Sequence, residues 1–257
     1  VATRELDDVD IERLSVLVFL HDIGKASSGF QSKRWQPGKR PSPDFWPPVT
    51  GHGREALVLF SSENKELALA LPLDAMESWG GSVWPLLLAS ISHHGRPIVE
   101  DAVPMSKSVW RPVSDADGEV LYDPLHTLEM ISDEVKVRFP EAFGMVARPL
   151  PENPAFGHLF AGLTQFADWL GSDTRCFPIR VDENRGVVAR EYADKAVTGL
   201  GLDVGEWRDW LQRVNPSFQH AFELPSPHPI QAAMVDEGLG QMVILESETG
   251  SGKTEAA

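Results

Sequence analysis

The sequence predicts a mainly α-helical bundle that gives way, near its end, to the opening of an α/β domain. Three observations predict it. Apolar residues recur at helical spacing through most of the first 215 residues. A single buried strand is convincing, Met242-Val243-Ile244-Leu245. Composition shifts after Pro216, where Phe222-Glu223-Leu224-Pro225-Ser226-Pro227-His228-Pro229 reads as a linker. We therefore expect a helical domain over 1–215, a linker over 216–229 and the start of an α/β domain over 230–257.

The elements follow in order. Residues 10–22 place Ile11, Leu14, Leu17, Val18 and Phe19 at helical spacing, with Gly24 as the expected C-terminal cap. Residues 27–51 are rich in Gly, Pro and Ser and read as a long loop, a length that goes with function or disorder. Helical patterns return at Arg54–Phe60, just after His52, and at Ser82–His93, where Pro85 is tolerable in the first turn. Residues 95–122 look irregular. Helices are then expected at 124–138, 155–171, 183–200 and 204–213. The one at 155–171 carries Leu159, Leu163, Phe166 and Leu170 as its apolar face. A short helix over Ile230–Glu237 leads into the strand.

Composition excludes several classes. With 42% hydrophobic and 24% charged residues, the chain is an ordinary globular one, long enough to bury a sizeable core. Cys176 is its single cysteine, which rules out an internal disulfide and a multi-cysteine zinc site and fits a reducing cytoplasm. No apolar run approaches the roughly 20 residues that span a bilayer, and no signal peptide opens the chain, so no membrane partner is expected. A net charge of −15 argues against coating nucleic acid by bulk electrostatics. Yet between Lys25 and Arg54 there are six basic residues and one acidic residue, Asp44. In its middle, Gln31-Ser32-Lys33-Arg34-Trp35-Gln36-Pro37-Gly38-Lys39-Arg40 interleaves cations with an aromatic, as a single-strand binding loop does and as a plain solvated loop also can. The chain begins at Val1 without a methionine and stops three residues after a phosphate-loop motif, so it reads as part of a longer polypeptide.

The chemistry gathers around His21-Asp22. Adjacent side chains on a helix point about 100° apart, so both cannot face one core, but at a helix end both can reach a cation. Alone, the dipeptide is as readily a cap or surface pair, and the same holds for His93-His94 and for His52, which sits between Gly51 and Gly53. Asp168 is more telling, because an unpaired charge inside an apolar helical segment is costly. Together these make four histidines and two carboxylates with no thiolate, the ligand set of a hydrolytic di-metal centre built from several helices. Manganese, iron, nickel or cobalt suit such ligands better than calcium, with magnesium a further candidate.

The second constellation is Gly250-Ser251-Gly252-Lys253-Thr254 after the strand. In that context Gly250 and Gly252 allow backbone N–H groups to cradle phosphates, Lys253 neutralises them and Thr254 binds magnesium. Ser247 stands where the general pattern has its first glycine. Gln231, upstream, reads either as an adenine contact or as an ordinary helix residue.

Together these residues resemble the CRISPR-associated HD nuclease–helicases of type I systems. The likeness runs through His-Asp-Ile-Gly-Lys-Ala at 21–26, His52, Ser92-His93-His94, Ala167-Asp168-Trp169, Gln231 and the Thr249–Ala257 phosphate loop. It implies a helical HD-domain bundle that cuts single-stranded DNA with two divalent metals. It also implies the first strand and phosphate loop of a RecA-like superfamily 2 helicase, which uses ATP and magnesium when complete and is recruited by an RNA-guided surveillance complex. By position, His21, Asp22 and Asp168 would hold one metal, and Asp22 would bridge to a second held by His52, His93 and His94. Lys25 would offset charge at the scissile phosphate. The family has a further histidine on the helix before the pair; none precedes His21 here, which puts it upstream of Val1. Two other readings stand beside this one: an HD phosphohydrolase acting on small nucleotides, and a non-catalytic helicase-associated binding module.

Overall fold

Asp7 opens the first helix, α1 (Asp8–Phe19). Its carboxylate accepts the Asp10 N–H at 2.9 Å while the Asp10 carboxylate accepts the Asp7 N–H at 3.0 Å, a reciprocal cap on the first turn. In this computed structural model the described residues are 4–34, 46–60, 65–96, 98, 107–144, 148–180, 184–202, 204–214, 217–234, 246, 248 and 250. The chain divides into two compact units, Val1–Ala193 and Asp194–Ala257.

The first unit is helical, as the sequence predicts. After α1 the chain tightens into a 3-10 segment, Leu20–Ala26, followed by α2 (Ser28–Gln31) and a further 3-10 turn, Ser32–Arg34. Then come α3 (Gly53–Leu57), α4 (Lys65–Leu69), α5 (Leu73–Glu77) and α6 (Val83–Ile91). An antiparallel hairpin pairs β1 (Val113–Ser114) with β2 (Val120–Tyr122). Asp123 then accepts the Leu125 N–H and Pro124 supplies the first helical φ of α7 (Pro124–Arg138). Asn153 and Pro154 repeat that start at α8 (Pro154–Ser172), and α9 (Arg185–Gly199) begins in this unit and continues past Ala193. No helix among the described residues is long and apolar enough to cross a membrane.

The core gathers Leu17 and Leu20 from the first turn region, Met76 and Trp79 after α5, and Leu87 and Ile91 from α6, all essentially without exposure. Each such side chain contributes roughly 1.5–3 kcal/mol of burial. The Arg13 guanidinium lies 5.5 Å from the Trp79 ring centroid and donates to the Ala142 and Arg148 carbonyls, so this buried cation is satisfied by backbone.

Several expectations are corrected. The helix expected over 10–22 is α-helical only to Phe19, so His21 and Asp22 sit on a 3-10 turn, and Gly24 lies within that turn rather than capping it. The expected apolar face of α8 is the exposed one: Leu159, Leu163 and Phe166 face outward, while Phe156, Phe160 and Thr164 are buried. The helix is apolar nearly all round, and packing against α6 selects the face that also carries Asp168. The region 95–122 contains the β1–β2 hairpin, and α4 and α5 were hidden by their five-residue lengths. The long loop of 27–51 holds α2 and its 3-10 turn; Trp35, Lys39 and Arg40 lie outside the described residues.

The second unit contains α10 (Val204–Val214), α11 (Phe218–Phe222) and α12 (Pro229–Ala233). Ser217 caps α11, and Glu223 ends it in the left-handed conformation with φ +56°. At α12 the Gln231 Oε1 accepts the His228 N–H at 2.7 Å, a helix-capping use of that side chain. The strand 242–245 and Gly252, Lys253 and Thr254 lie outside the described residues; Gly250 is described, with φ +83°.

Candidate metal centre

The 3-10 turn after α1 aims two neighbouring side chains into one cleft. His21 donates through Nδ1–H to the Val18 carbonyl at 2.6 Å, which orients the ring and turns Nε2 inward. His93 repeats the device on the turn after α6: its Nδ1–H donates to the Ser90 carbonyl at 3.0 Å. Ser90 in turn donates through its hydroxyl to the Leu17 carbonyl at 2.7 Å, so the two histidine-bearing helix ends are tied together. His52, just before α3, is brought in by backbone contact. A Cβ on Gly24 would stand 1.7 Å from the His52 carbonyl oxygen, so only glycine permits this approach.

Asp22 lies at the middle. Its carboxylate is 3.2 Å from His21 Nε2, 3.1 Å from His52 Nε2 and 3.7 Å from His93 Nε2, and it pairs with the Lys25 ammonium. Asp168, reaching in from α8, stands 3.4 Å from His21 Nε2. His94 Nε2 is 3.0 Å from His52 Nε2. All six sequence-predicted His and Asp residues of the first unit therefore meet in one place, with Lys25 at the rim. Their donor atoms form two overlapping groups, His52 with His93 and His94, and His21 with His93 and Asp168. Within each group the ligand atoms lie within 4.8 Å of one another. His93, almost fully buried, belongs to both.

The electrostatics suit a cation. His21 Nε2 and Asp22 Oδ1 are buried and make no hydrogen bond. Buried polar atoms left without a hydrogen bond are an expensive arrangement in a protein alone and a natural one around a positive ion. Burial would raise the Asp22 carboxyl, but the close approach of His21, His52 and the Lys25 ammonium outweighs it and holds it well below the usual carboxylate range. Burial would lower His21, yet the Asp22 carboxylate leaves it raised. His93 is lowered, first by burial and then by neighbouring His21, which keeps it neutral and available as a ligand.

Sequence reasoning missed the parts that hold these ligands. The Val18 and Ser90 carbonyls orient the rings but are backbone groups and carry no residue signature. Phe30 was also missed: its ring meets His52 edge-on at 5.5 Å, and Lys33 Nζ lies 4.0 Å from its centroid, placing a cation and an aromatic beside the centre. The alternation of cations and aromatics in 30–40 was its only signal.

Comparison with known proteins identifies the family of this domain. The family model described as the HD domain of Cas3 matches residues 2–177, the stretch that contains every residue of the centre. A CRISPR-associated endonuclease/helicase Cas3 from Thermus thermophilus is 28% identical over 264 residues, an alignment covering 95% of this chain. The chain spans only 26% of that relative's length. No solved structure matches. The helical bundle, the clustered His and Asp side chains and the match over more than half its length place this chain in the Cas3 HD-domain family.

Proposed function

We propose that this chain is a metal-dependent nuclease domain that hydrolyses phosphodiester bonds of single-stranded DNA in cytoplasmic CRISPR antiviral defence. In this reading residues 1–215 form the HD nuclease domain, 216–229 the linker and 230–257 the start of an ATP-dependent helicase. There, Gln231, Gly250, Gly252, Lys253 and Thr254 would contribute to the nucleotide site. Its partners would be single-stranded DNA and the RNA-guided surveillance complex. The observation that carries the reading is the convergence of two His/Asp groups around Asp22, with His21 Nε2 and Asp22 Oδ1 buried and unbonded.

His21, Asp22 and Asp168 would hold one divalent cation, and His52, His93 and His94 a second, with Asp22 between them. When bound, such metals polarise the phosphoryl oxygens and make water a nucleophile near neutral pH. The protein groups do the positioning. The Val18 and Ser90 carbonyls keep Nε2 of His21 and His93 aimed inward, and the low-lying Asp22 carboxyl stays ionised and acceptor-only. Lys25, half in solvent beside Asp22, offers an ammonium to the non-bridging phosphate oxygens. Phe30 and Lys33 give an incoming strand a ring face and a cation.

Elemental analysis of the purified chain should find divalent metal, and the metal-loaded chain should cleave single-stranded DNA in preference to a panel of nucleotides. Asp22→Ala should reduce cleavage to background. Undiminished metal-dependent cleavage by that variant would sink the assignment. Nucleotide turnover without DNA cleavage would favour the small-nucleotide phosphohydrolase, and stoichiometric metal without hydrolysis the binding module.

A further inference from the structure

A strand cut at this centre must also place the nucleotides on either side of the scissile phosphate. Two cavities flank the histidine cluster. One, of about 500 Å³, is bordered by His52 and His94 on the side of α3. The other, of about 480 Å³, opens between the His93 turn and α8 and is bounded by Gly95, Arg96, His158, Ala161, Gly162 and Gln165. Arg96 and Ser92 wall both, so the two spaces meet beside the ligands. The turn that makes this possible is specific: Gly95, at φ +75°, reverses the chain directly after His94 and delivers Arg96 between the cavities.

The α8 cavity has a distinctive lining. No carboxylate borders it among the described residues, although the chain carries 38 acidic side chains and a net charge of −15. Its floor is Leu88 and Ala161, its wall at Gly162 is bare backbone, and beside Ser92 and His93 at the edge next to the centre its polar side chains are the Gln165 amide, the His158 imidazole and the Arg96 guanidinium. A Cβ built on Gly162 meets nothing within 4 Å, so the space there is open rather than packed. A carboxamide offers a donor and an acceptor side by side, the pairing that a base edge requires, and an imidazole offers a ring face for stacking. A guanidinium matches a phosphate.

We propose that this cavity is a nucleobase subsite. It takes the unstacked base of a nucleotide next to the scissile phosphate, with Gln165 on the base edge, His158 against the ring and Arg96 on the adjoining phosphate. The inference rests on the phosphodiesterase reading above and adds to it a place where the strand, rather than the metals, is gripped. None of His158, Gln165 and Gly162 belongs to the ligand groups, so the subsite can be altered with the centre intact.

The test uses the manganese-loaded chain and two substrates: a mixed-sequence single-stranded oligonucleotide, which fills the subsite, and bis(p-nitrophenyl) phosphate, which lacks a base. Gly162→Leu fills the cavity from an open position and replaces a helical glycine, so the variant should fold at least as well as the parent. We expect it, and Gln165→Ala, to raise KM for the oligonucleotide roughly tenfold, the size of one lost base contact, with kcat within about twofold. Turnover of bis(p-nitrophenyl) phosphate should be unchanged, and parent and Gly162→Leu should bind an abasic strand alike. An unchanged oligonucleotide KM overturns the subsite, as does an equal loss on both substrates. If the parent hydrolyses neither substrate, the phosphodiesterase reading itself fails. Fluorescence anisotropy of labelled oligonucleotide on parent and Gly162→Leu then decides the subsite without turnover, equal affinities overturning it.

Discussion

His93 sits where both ligand groups overlap, and the reasons are those of single residues. It is almost fully buried, its Nδ1–H is committed to the Ser90 carbonyl, and its ring stands edge-on to His21 with centroids 4.6 Å apart. The neighbouring His94 is exposed, its Nε2 3.0 Å from that of His52 and its ring centroid 4.2 Å from that of His93. Which of two adjacent histidines turns inward is decided by the backbone turn, so the pair was legible in the sequence and their division of labour was not. Gly24 is the sharpest case of a residue whose role is spatial. Gly24→Ala would drive a methyl group into the His52 carbonyl, at 1.7 Å for an unrelaxed chain, and the 3-10 turn and the start of α3 must separate. We expect a stability loss of about 1–3 kcal/mol, the range for forced overpacking, and loss of metal. Thermal melts with elemental analysis check both, and an unchanged melting temperature with full metal content would show that the contact does not constrain the site.

At the scale of elements, the longer helices were legible because each carries its own start signal. Asp123-Pro124 and Asn153-Pro154 begin α7 and α8 where the periodicity placed them. The five-residue helices α4 and α5 were not, since one turn and a half of sequence gives no period to count. The face of α8 was misread for the opposite reason: with apolar residues on every side, periodicity cannot choose, and contact with α6 chooses instead. The start of α1 yields a prediction of its own. Arg148 donates to the Asp7 carboxylate at 2.7 Å, tying α1 to the strand of chain that leads to α8. That hydrogen bond, helped by the Asp10 N–H, lowers the Asp7 carboxyl from 3.8 to about 2. The folded value lies below the unfolded one, so the stabilisation is complete above about pH 4 and disappears as pH falls through 2. Asp7→Asn keeps a good N-cap but removes the charge. Its melting temperature should lie below the parent's at pH 6, and the gap should close by pH 2. A gap that persists unchanged at low pH would assign the effect to the cap rather than the ion pair.

For the whole molecule the governing fact is a net charge of −15 on a chain proposed to hold a polyanion. Bulk attraction is excluded, so a strand must be held by local cations against a repulsive background, and the described basic residues near the centre are Lys25, Lys33, Arg54 and Arg96. The ligand types, their order and this basic interval could all be read from the sequence, because they are matters of residue identity. Their convergence could not, because it depends on a glycine contact, two carbonyls and one serine hydroxyl that bring separate helix ends together. Lys33 tests the electrostatic side of the argument. Its ammonium rests 4.0 Å from the Phe30 centroid, outside the ligand groups, where a phosphate could be neutralised as the base meets the ring. For single strands the logarithm of the binding constant falls with the logarithm of salt by about 0.7 for each phosphate neutralised. Lys33→Ala should therefore weaken binding of single-stranded DNA at low salt, to a similar degree for every sequence, and reduce that slope by about 0.7. Anisotropy titrations from 50 to about 300 mM salt measure it. An unchanged slope would remove Lys33 from the strand's path and leave the chain's cations elsewhere to overcome its charge.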